Sequence, residues 1–347
     1  MTSRERVLTA LAHKTPDRCP VDVMLEWSTA ARLMKEFGFT SEEQLYDLLE
    51  SDLQFVFPAT TSTPEYLPDG SWYDRMGLHA HNVSNAFTTY AEIASNPLAD
   101  AETVGDLAAY TRYPTTADLL WDTLRPAAEH VQKKRAVKLH TGGMFELIRD
   151  YRGYEQILVD MVCNPEMVHY LMNRICDYWC TYVEEAMAAA SDLIDIVYTY
   201  DDIASQNGLL ISPAMLEEFI FPYHRRLNSV IKKYGKPILF HSCGAVSDVI
   251  DGLISLPIDI LTPLQPNAHG MDHAAVKAKY GSRLCFHGAI DIQDTLPKGS
   301  ADDVRAAVRH AIAVLGQNGG YILCSAHYIQ NDTPTQNILA MYDPAIR

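Results

Sequence analysis

Residues 237–261 read PILFHSCGAVSDVIDGLISLPIDIL. An apolar run of strand length, 237–241, is followed by a helical stretch, 246–255, and a second apolar run, 258–261. Two strands joined through a helix of this size predict a parallel pair, because parallel neighbours need a crossover connection. The pattern continues outward in both directions. Toward the C-terminus it predicts helix 272–280, strand 284–288, helix 301–315, strand 321–324 and a last helix from Pro334. Toward the N-terminus it predicts helix 213–234, strand 193–199, a long helix 165–190, a helical stretch 144–161, strand 136–140 and helix 117–134. Three of these helices begin with a capping residue followed by proline, Asn164-Pro165, Ser212-Pro213 and Thr333-Pro334. Proline fits there because its missing N–H would have no helical partner anyway.

Two earlier apolar runs, 18–24 and 53–57, bring the candidate strands to eight. Eight strands alternating with helices predict an α/β fold, a single (β/α)8 TIM barrel covering 1–347. The competing open, doubly wound sheet would carry a G-x-G-x-x-G turn after its first strand, and none is present. A helix opens the chain, its Thr2 and Glu5 spaced as a capping box and its apolar stripe formed by Val7, Leu8 and Leu11. Residues 27–114 show no sustained period and are expected to be an irregular elaboration containing the one buried strand 53–57.

The reactive residues cluster at the ends of the expected strands. His140, the run Tyr200-Asp201-Asp202, His241-Ser242-Cys243-Gly244, Gln265, Asp291, and Cys324 with His327 all follow apolar runs. In a barrel these tips converge on one face, so residues nearly 190 positions apart would share a pocket. His241 and Cys243 are spaced so that imidazole and thiolate leave one strand end together, a pairing that suits zinc, with Cys324 or His327 as third ligand. The alternative is a histidine satisfied by backbone beside a small packed cysteine. Asp201 and Asp202 read as substrate anchors or partners of a ligand histidine, or else as helix caps or solvated loop residues. Gln206 and Asn207 are candidates for polar substrate groups. Cys176 and Cys180 share a helix face with Leu171, Met172 and Trp179 and read as core.

A formal net charge of −16 disfavours phosphate backbones, so nucleic acid is not an expected partner. No apolar run reaches membrane-spanning length. Seven scattered cysteines and an N-terminus without an apolar signal segment lead to a cytoplasmic expectation.

Several motifs together resemble the uroporphyrinogen decarboxylase superfamily over nearly the whole chain. They are Arg4-Glu5-Arg6-Val7-Leu8 with Pro16-Asp17-Arg18-Cys19-Pro20-Val21, Asn164-Pro165-Glu166, Asp201-Asp202 through Ile211-Ser212-Pro213, and Gly235-Lys236-Pro237 before His241-Ser242-Cys243-Gly244. Tyr280-Gly281, the run Gly288 to Gln293, and Gly319-Gly320-Tyr321 complete the set. The decarboxylase branch carries an arginine-rich segment after its first strand, which grips porphyrinogen carboxylates. Here that stretch is Val23-Met24-Leu25-Glu26-Trp27-Ser28, with no arginine before Arg32. The resemblance therefore points to the methyltransferase branch, whose coenzyme M members bind zinc through an H-x-C pair and a distant cysteine.

On that resemblance His241, Cys243 and Cys324 are the expected zinc ligands, with His327 the alternative third. His327 and Asp202 are the expected proton-handling groups, and Gln206, Asp201, His140 and Glu26 the expected substrate contacts. The implied reaction moves a methyl group from a small methylated substrate, a methyl ether, to a Co(I) corrinoid (cobalamin) on a separate corrinoid protein. The implied alternatives are methyl transfer from a corrinoid to a thiol, a decarboxylase, and a non-catalytic binding barrel. The resemblance leaves monomer and homodimer both open.

Overall fold

The computed structural model describes residues 1–347. Seven parallel strands are hydrogen-bonded in sequence order. We number the barrel strands with the segment 20–25 as β1, followed by Leu53–Val56 (β2), Ala136–His140 (β3), Ile196–Tyr200 (β4), Ile238–His241 (β5), Ile260–Thr262 (β6), Cys285–Ile290 (β7) and Tyr321–Ser325 (β8). β1 closes the ring. On one side it bonds β8, through Leu323 N–H to the Pro20 carbonyl (2.8 Å) and Asp22 N–H to the Leu323 carbonyl (2.9 Å). On the other, Asp52 N–H just before β2 donates to the Val21 carbonyl at 2.8 Å. The buried Asp52 carboxylate stitches this seam, accepting from Val21 N–H and from the guanidinium groups of Arg6 and Arg18. The eight-stranded parallel barrel is the architecture that the strand–helix alternation predicts.

Alternation along the strands sorts the interior into layers. Leu53, Ala136, Ile196, Leu239, Ile260, Cys285 and Ile322 form a floor, joined by Val7 from the N-terminal helix Ser3–Leu11. That helix starts with the expected Thr2–Glu5 capping box. A much larger core fills the space between the strands and the helices outside them. Two residues above the floor, the inward positions include Phe55, Lys138, Tyr198, His241, Thr262, His287 and Cys324, so the interior becomes polar toward the C-terminal mouth.

The structure departs from the sequence reading mainly between residues 27 and 135. The stretch read as irregular holds three helices, Trp27–Phe37, Glu42–Leu48 and Val104–Ala109. The first ends at Gly38, whose φ of 69° is the left-handed conformation that terminates helices. It also holds a four-stranded antiparallel sheet, Glu65–Tyr66, Trp72–Tyr73, His79–Ser84 and Thr89–Ser95, with the Asp69-Gly70 turn in its first connection. The helix expected over 117–134 runs only from Leu124 to Gln132. Leu119–Leu120 is drawn instead into antiparallel pairing with Ala59–Thr60, and Pro126 falls in the helix's first turn, where no N–H is required. Gly153, at φ 94°, divides the helical stretch after β3 into Phe145–Arg152 and Tyr154–Cys163. Pro222 accounts for the π-helical stretch Leu216–Ile220, since a proline displaces the carbonyl four residues back. No helix is long and apolar enough to cross a membrane.

Candidate metal centre

His241 is the last residue of β5 and points inward, two residues above Leu239 of the floor. Cys243 repeats that step just beyond the strand. The turn that follows needs glycine: Gly244 has a φ of 89°, and a Cβ there would meet the Ser205 carbonyl oxygen at 2.4 Å. Its N–H donates to Gln265 Oε1 at 2.9 Å. Cys243 N–H donates to Asp202 Oδ1 at 2.7 Å, and Cys243 Sγ lies 3.3 Å from His241 Nε2. His327, from the loop after β8, completes the group. Ligand atoms of His241, Cys243 and His327 all lie within 4.8 Å of one another.

The electrostatics of this rim cluster have one dominant cause, burial. Desolvation pulls the His241 imidazole down to about 3, helped by the neighbouring imidazoles of His327, His287 and His140. It also lowers His327, against the pull of Asp202. Both rings are therefore neutral, with lone pairs available. Burial, reinforced by the Asp202 and Glu146 carboxylates, raises the Cys243 thiol well above its ordinary value. Burial raises Asp202 too, opposed by the Cys243 N–H. It pushes Glu146 up to about 8, with the Asp201 and Asp202 charges adding to the effect. Two imidazoles, a thiol and two carboxyls thus share a mouth with no cationic side chain bonded to them. That donor set fits a divalent ion with nitrogen and sulfur preference, which would also displace the thiol proton.

Cys324 does not join this cluster. It is an inward residue of β8 itself, and its sulfur groups with Asp22 and His287 in the barrel interior. The expected ligand set is corrected accordingly: the geometry brings His327, not Cys324, to His241 and Cys243. The interior trio already contains its cation. Lys138 Nζ is ion-paired with Asp22 and stands 3.9 Å over the Phe55 ring. Asp22 also accepts from His287 Nε2 at 2.9 Å, and His287 Nδ1 bonds Thr262 Oγ1 at 2.8 Å. Lys138, invisible as a functional candidate in the sequence, is a buried counter-charge.

The remaining expected residues divide. Asp202 stands at the cluster, 3.7 Å from His241 Nε2. Asp201 does not face the mouth. It is fully buried and accepts Met144 N–H (3.0 Å), Glu146 N–H (3.0 Å) and His224 Nε2 (2.6 Å), capping helix Phe145–Arg152. Its expected substrate role is replaced by a structural one. Glu26 likewise caps helix Trp27–Phe37, accepting from Ser28 N–H at 2.9 Å and from the Ser28 hydroxyl. His140 packs in an aromatic wall, stacked on Tyr198 at 5.1 Å and 5.4 Å from Phe57, with burial taking its imidazole down to about 4. No hydrogen bond ties Gln206 to the cluster, and its carbonyl accepts from His269 N–H.

Glu146 was not among the expected residues. Its Oε1 accepts from Asp202 N–H at 2.9 Å, which brings it beside the rim cluster. The signal was Gly142-Gly143 just after β3. A Cβ at Gly143 would meet Asp201 Oδ1 at 2.6 Å, and one at Gly142 would meet the Trp179 ring at 2.1 Å. Such tight passage marks a loop drawn in against the mouth.

The uroporphyrinogen decarboxylase (URO-D) family matches residues 79–346. A uroporphyrinogen decarboxylase of Anaeromyxobacter dehalogenans is 24% identical over 198 residues, 55% of this chain and 51% of that protein. A methylated-thiol–coenzyme M methyltransferase of Methanosarcina mazei is 26% identical over 180 residues, 51% of this chain and 44% of that protein. The chain thus spans about half the length of the curated relatives it matches. Among solved structures, a methyltransferase from Methanosarcina mazei superposes with a TM-score of 0.69 at 18% identity, covering 98% of this chain and 97% of that one. At that identity the likeness speaks for the fold.

Proposed function

The chain belongs to the uroporphyrinogen decarboxylase family, and from that premise we propose that it is a zinc-dependent methyltransferase of the family's methyltransferase branch. In this reading it moves a methyl group from a small methyl ether to a Co(I) corrinoid carried by a separate protein. The observation that carries the reading is the rim cluster, a thiol and two neutral imidazoles gathered at the barrel mouth without a cation of their own.

His241, Cys243 and His327 would hold the zinc. Bound there, zinc supplies Lewis acidity to the heteroatom that bears the methyl group. Asp202 fixes the Cys243 backbone through its N–H, and Gly244 lets the turn pass beneath Ser205. With His327 assigned as a ligand, proton handling falls to Asp202 and Glu146. In the metal-free protein burial favours the protonated form of Glu146, and a proton from Glu146 or Asp202 would meet the oxygen as the C–O bond to the methyl group breaks. The oxygen keeps the bonding pair and takes that proton, while the corrinoid acceptor takes the methyl carbon.

A porphyrinogen substrate fits less well. The residues around the cluster are carboxyls and neutral rings, which offer no counter-charge to a polycarboxylate. The similarity to a methylated-thiol–coenzyme M methyltransferase favours one second reading, transfer from a methylated corrinoid to a thiol.

Two measurements test the proposal. Metal analysis should find about one equivalent of zinc, lost in Cys243→Ala. Mixing the protein with a Co(I) corrinoid protein and methyl ethers should change the cobalt absorption spectrum. No spectral change with any O-, N- or S-methyl donor, nor with thiols and a methylated corrinoid, overturns methyl transfer.

A further inference from the structure

The third ligand of the rim cluster is held differently from the other two. His241 ends a strand and Cys243 is pinned by Asp202, but no protein group hydrogen-bonds the His327 ring. Its ring centroid lies 5.9 Å from that of His241 and 5.5 Å from that of Tyr328. Metal-binding histidines usually donate their second N–H to a fixed partner, which orients the ring. Without one, the imidazole is placed only as well as its backbone.

That backbone is the segment 326–335, a loop running into the first residue of the last helix, Thr335–Met341. Ala326 N–H donates to the Ile290 carbonyl at 2.7 Å, and most of the other outer anchors come from one short segment near the N-terminus. Ile329, two residues beyond His327, donates its N–H to the Met24 carbonyl at 2.9 Å. The Ile329 carbonyl accepts from Glu26 N–H at 3.1 Å and from the buried Thr29 hydroxyl at 2.9 Å. Farther along, Arg32 spreads its guanidinium over the rest of the loop. Nε donates to Asn331 Oδ1 (2.6 Å), one terminal nitrogen to Thr335 Oγ1 (2.7 Å), and the other to the Thr333 carbonyl (2.8 Å). Asn331 in turn donates to the Phe87 carbonyl at 2.7 Å, and Thr335 to Glu36 at 2.6 Å. Thr29 and Arg32 lie on one helix, Trp27–Phe37.

We infer that Thr29 and Arg32 are positioning residues for the third metal ligand: together they seat the loop 326–335 and so hold the His327 imidazole against His241 and Cys243. The inference rests on the metal reading above. It also gives Arg32 a task unlike that of a substrate-binding arginine, because its guanidinium is engaged by the loop on all three nitrogens. A lysine cannot replace it, since one ammonium cannot meet three acceptors spread over a planar fork.

The test is Co(II) titration of the metal-free protein, read by the visible bands of thiolate-bound, low-coordinate cobalt. Thr29→Val removes one hydroxyl without changing shape, and Arg32→Ala removes the fork. Each should weaken Co(II) binding, and the pair together by roughly 10- to 100-fold, the usual cost of losing the support behind a ligand histidine. Their spectra should move toward that of His327→Ala, and Arg32→Lys should not restore the wild-type spectrum. A merely structural role would lower the melting temperature while leaving the cobalt spectrum and affinity unchanged, and that result overturns the inference. Should Arg32→Ala fail to fold, Thr29→Val and Asn331→Ala carry the same test. Wild-type protein that takes up no cobalt overturns the metal reading itself, an outcome distinct from unchanged variants.

Discussion

Two trios of ligand-type residues lie in one barrel, His241–Cys243–His327 at the mouth and Asp22–His287–Cys324 in the interior. Each combines imidazole with thiol, and ligand spacing alone does not separate them. The difference is charge balance. The interior trio is closed: Lys138 neutralises Asp22, and Asp22 and Thr262 hold the two nitrogens of His287. Burial opposes ionisation of Asp22, but Lys138 and His287 together outweigh it and hold the carboxyl far below the ordinary range. The mouth trio has carboxyls beside it and no ammonium or guanidinium bonded to it. Metal-site reasoning that counts ligands without counting nearby cations would accept both trios.

The largest expected effect is at the mouth. Cys243→Ala or His241→Ala should abolish zinc uptake and methyl transfer together. Retention of a full equivalent of tightly bound zinc in either variant would erase the distinction between the trios. Next comes the interior counter-charge. Lys138→Met leaves Asp22 buried with only the His287 hydrogen bond and no counter-charge, and should lower stability by about 3–5 kcal/mol in urea denaturation. Adding Asp22→Asn to it should return part of that loss, because no unpaired charge then remains. A double variant no more stable than Lys138→Met would argue that packing, not charge, holds the interior.

A smaller effect is expected from pH. The Glu146 carboxyl is pushed up to about 8 in the folded protein, above its unfolded value of about 4.3. Folding therefore takes up a proton between those values, and the metal-free protein should lose stability as pH rises across that window. Glu146→Gln should flatten that slope, and so should zinc, whose charge favours the carboxylate. An unchanged slope in Glu146→Gln would remove Glu146 as its source. The smallest effect belongs to Cys324→Ala. It should leave zinc affinity unchanged and cost about 1–2 kcal/mol of stability, the scale of a small buried truncation. A tenfold loss of zinc affinity would return Cys324 to the ligand set.

Legibility in the sequence followed the range of the interactions involved. The strands from 136 onward were readable because each is an apolar run flanked by helix caps and turns, all local signals. The first strand was weaker, since 20–25 owes its place to β8, some 300 residues away, and to the Asp52 seam. The elaborated region 27–114 was obscure because helix Trp27–Phe37 begins with a Glu26 cap and ends on Gly38 without a proline marker, and because its small sheet is largely exposed. At the site, His241, Cys243 and Asp202 were legible from their spacing at strand ends. Glu146 and Lys138 were not. A glutamate in the first turn of a helix and a lysine within a strand have ordinary alternatives, and only the fold shows that the lysine is fully buried and the glutamate half-buried beside the mouth.

The order of strands and helices, the strand tips that bear reactive groups, and the histidine–thiol pair at 241 and 243 followed from sequence alone, because each depends on neighbours a few residues apart. Which distant residue joins that pair is a different kind of question. Cys324 and His327 lie three positions apart, and both were plausible third ligands. The barrel's alternation turns Cys324 into the interior beside Lys138, while the loop seated on Thr29 and Arg32 brings His327 over the mouth. Closing the ring sets the distances between strand tips, and those distances together with the nearby charges decide which donors can share an ion.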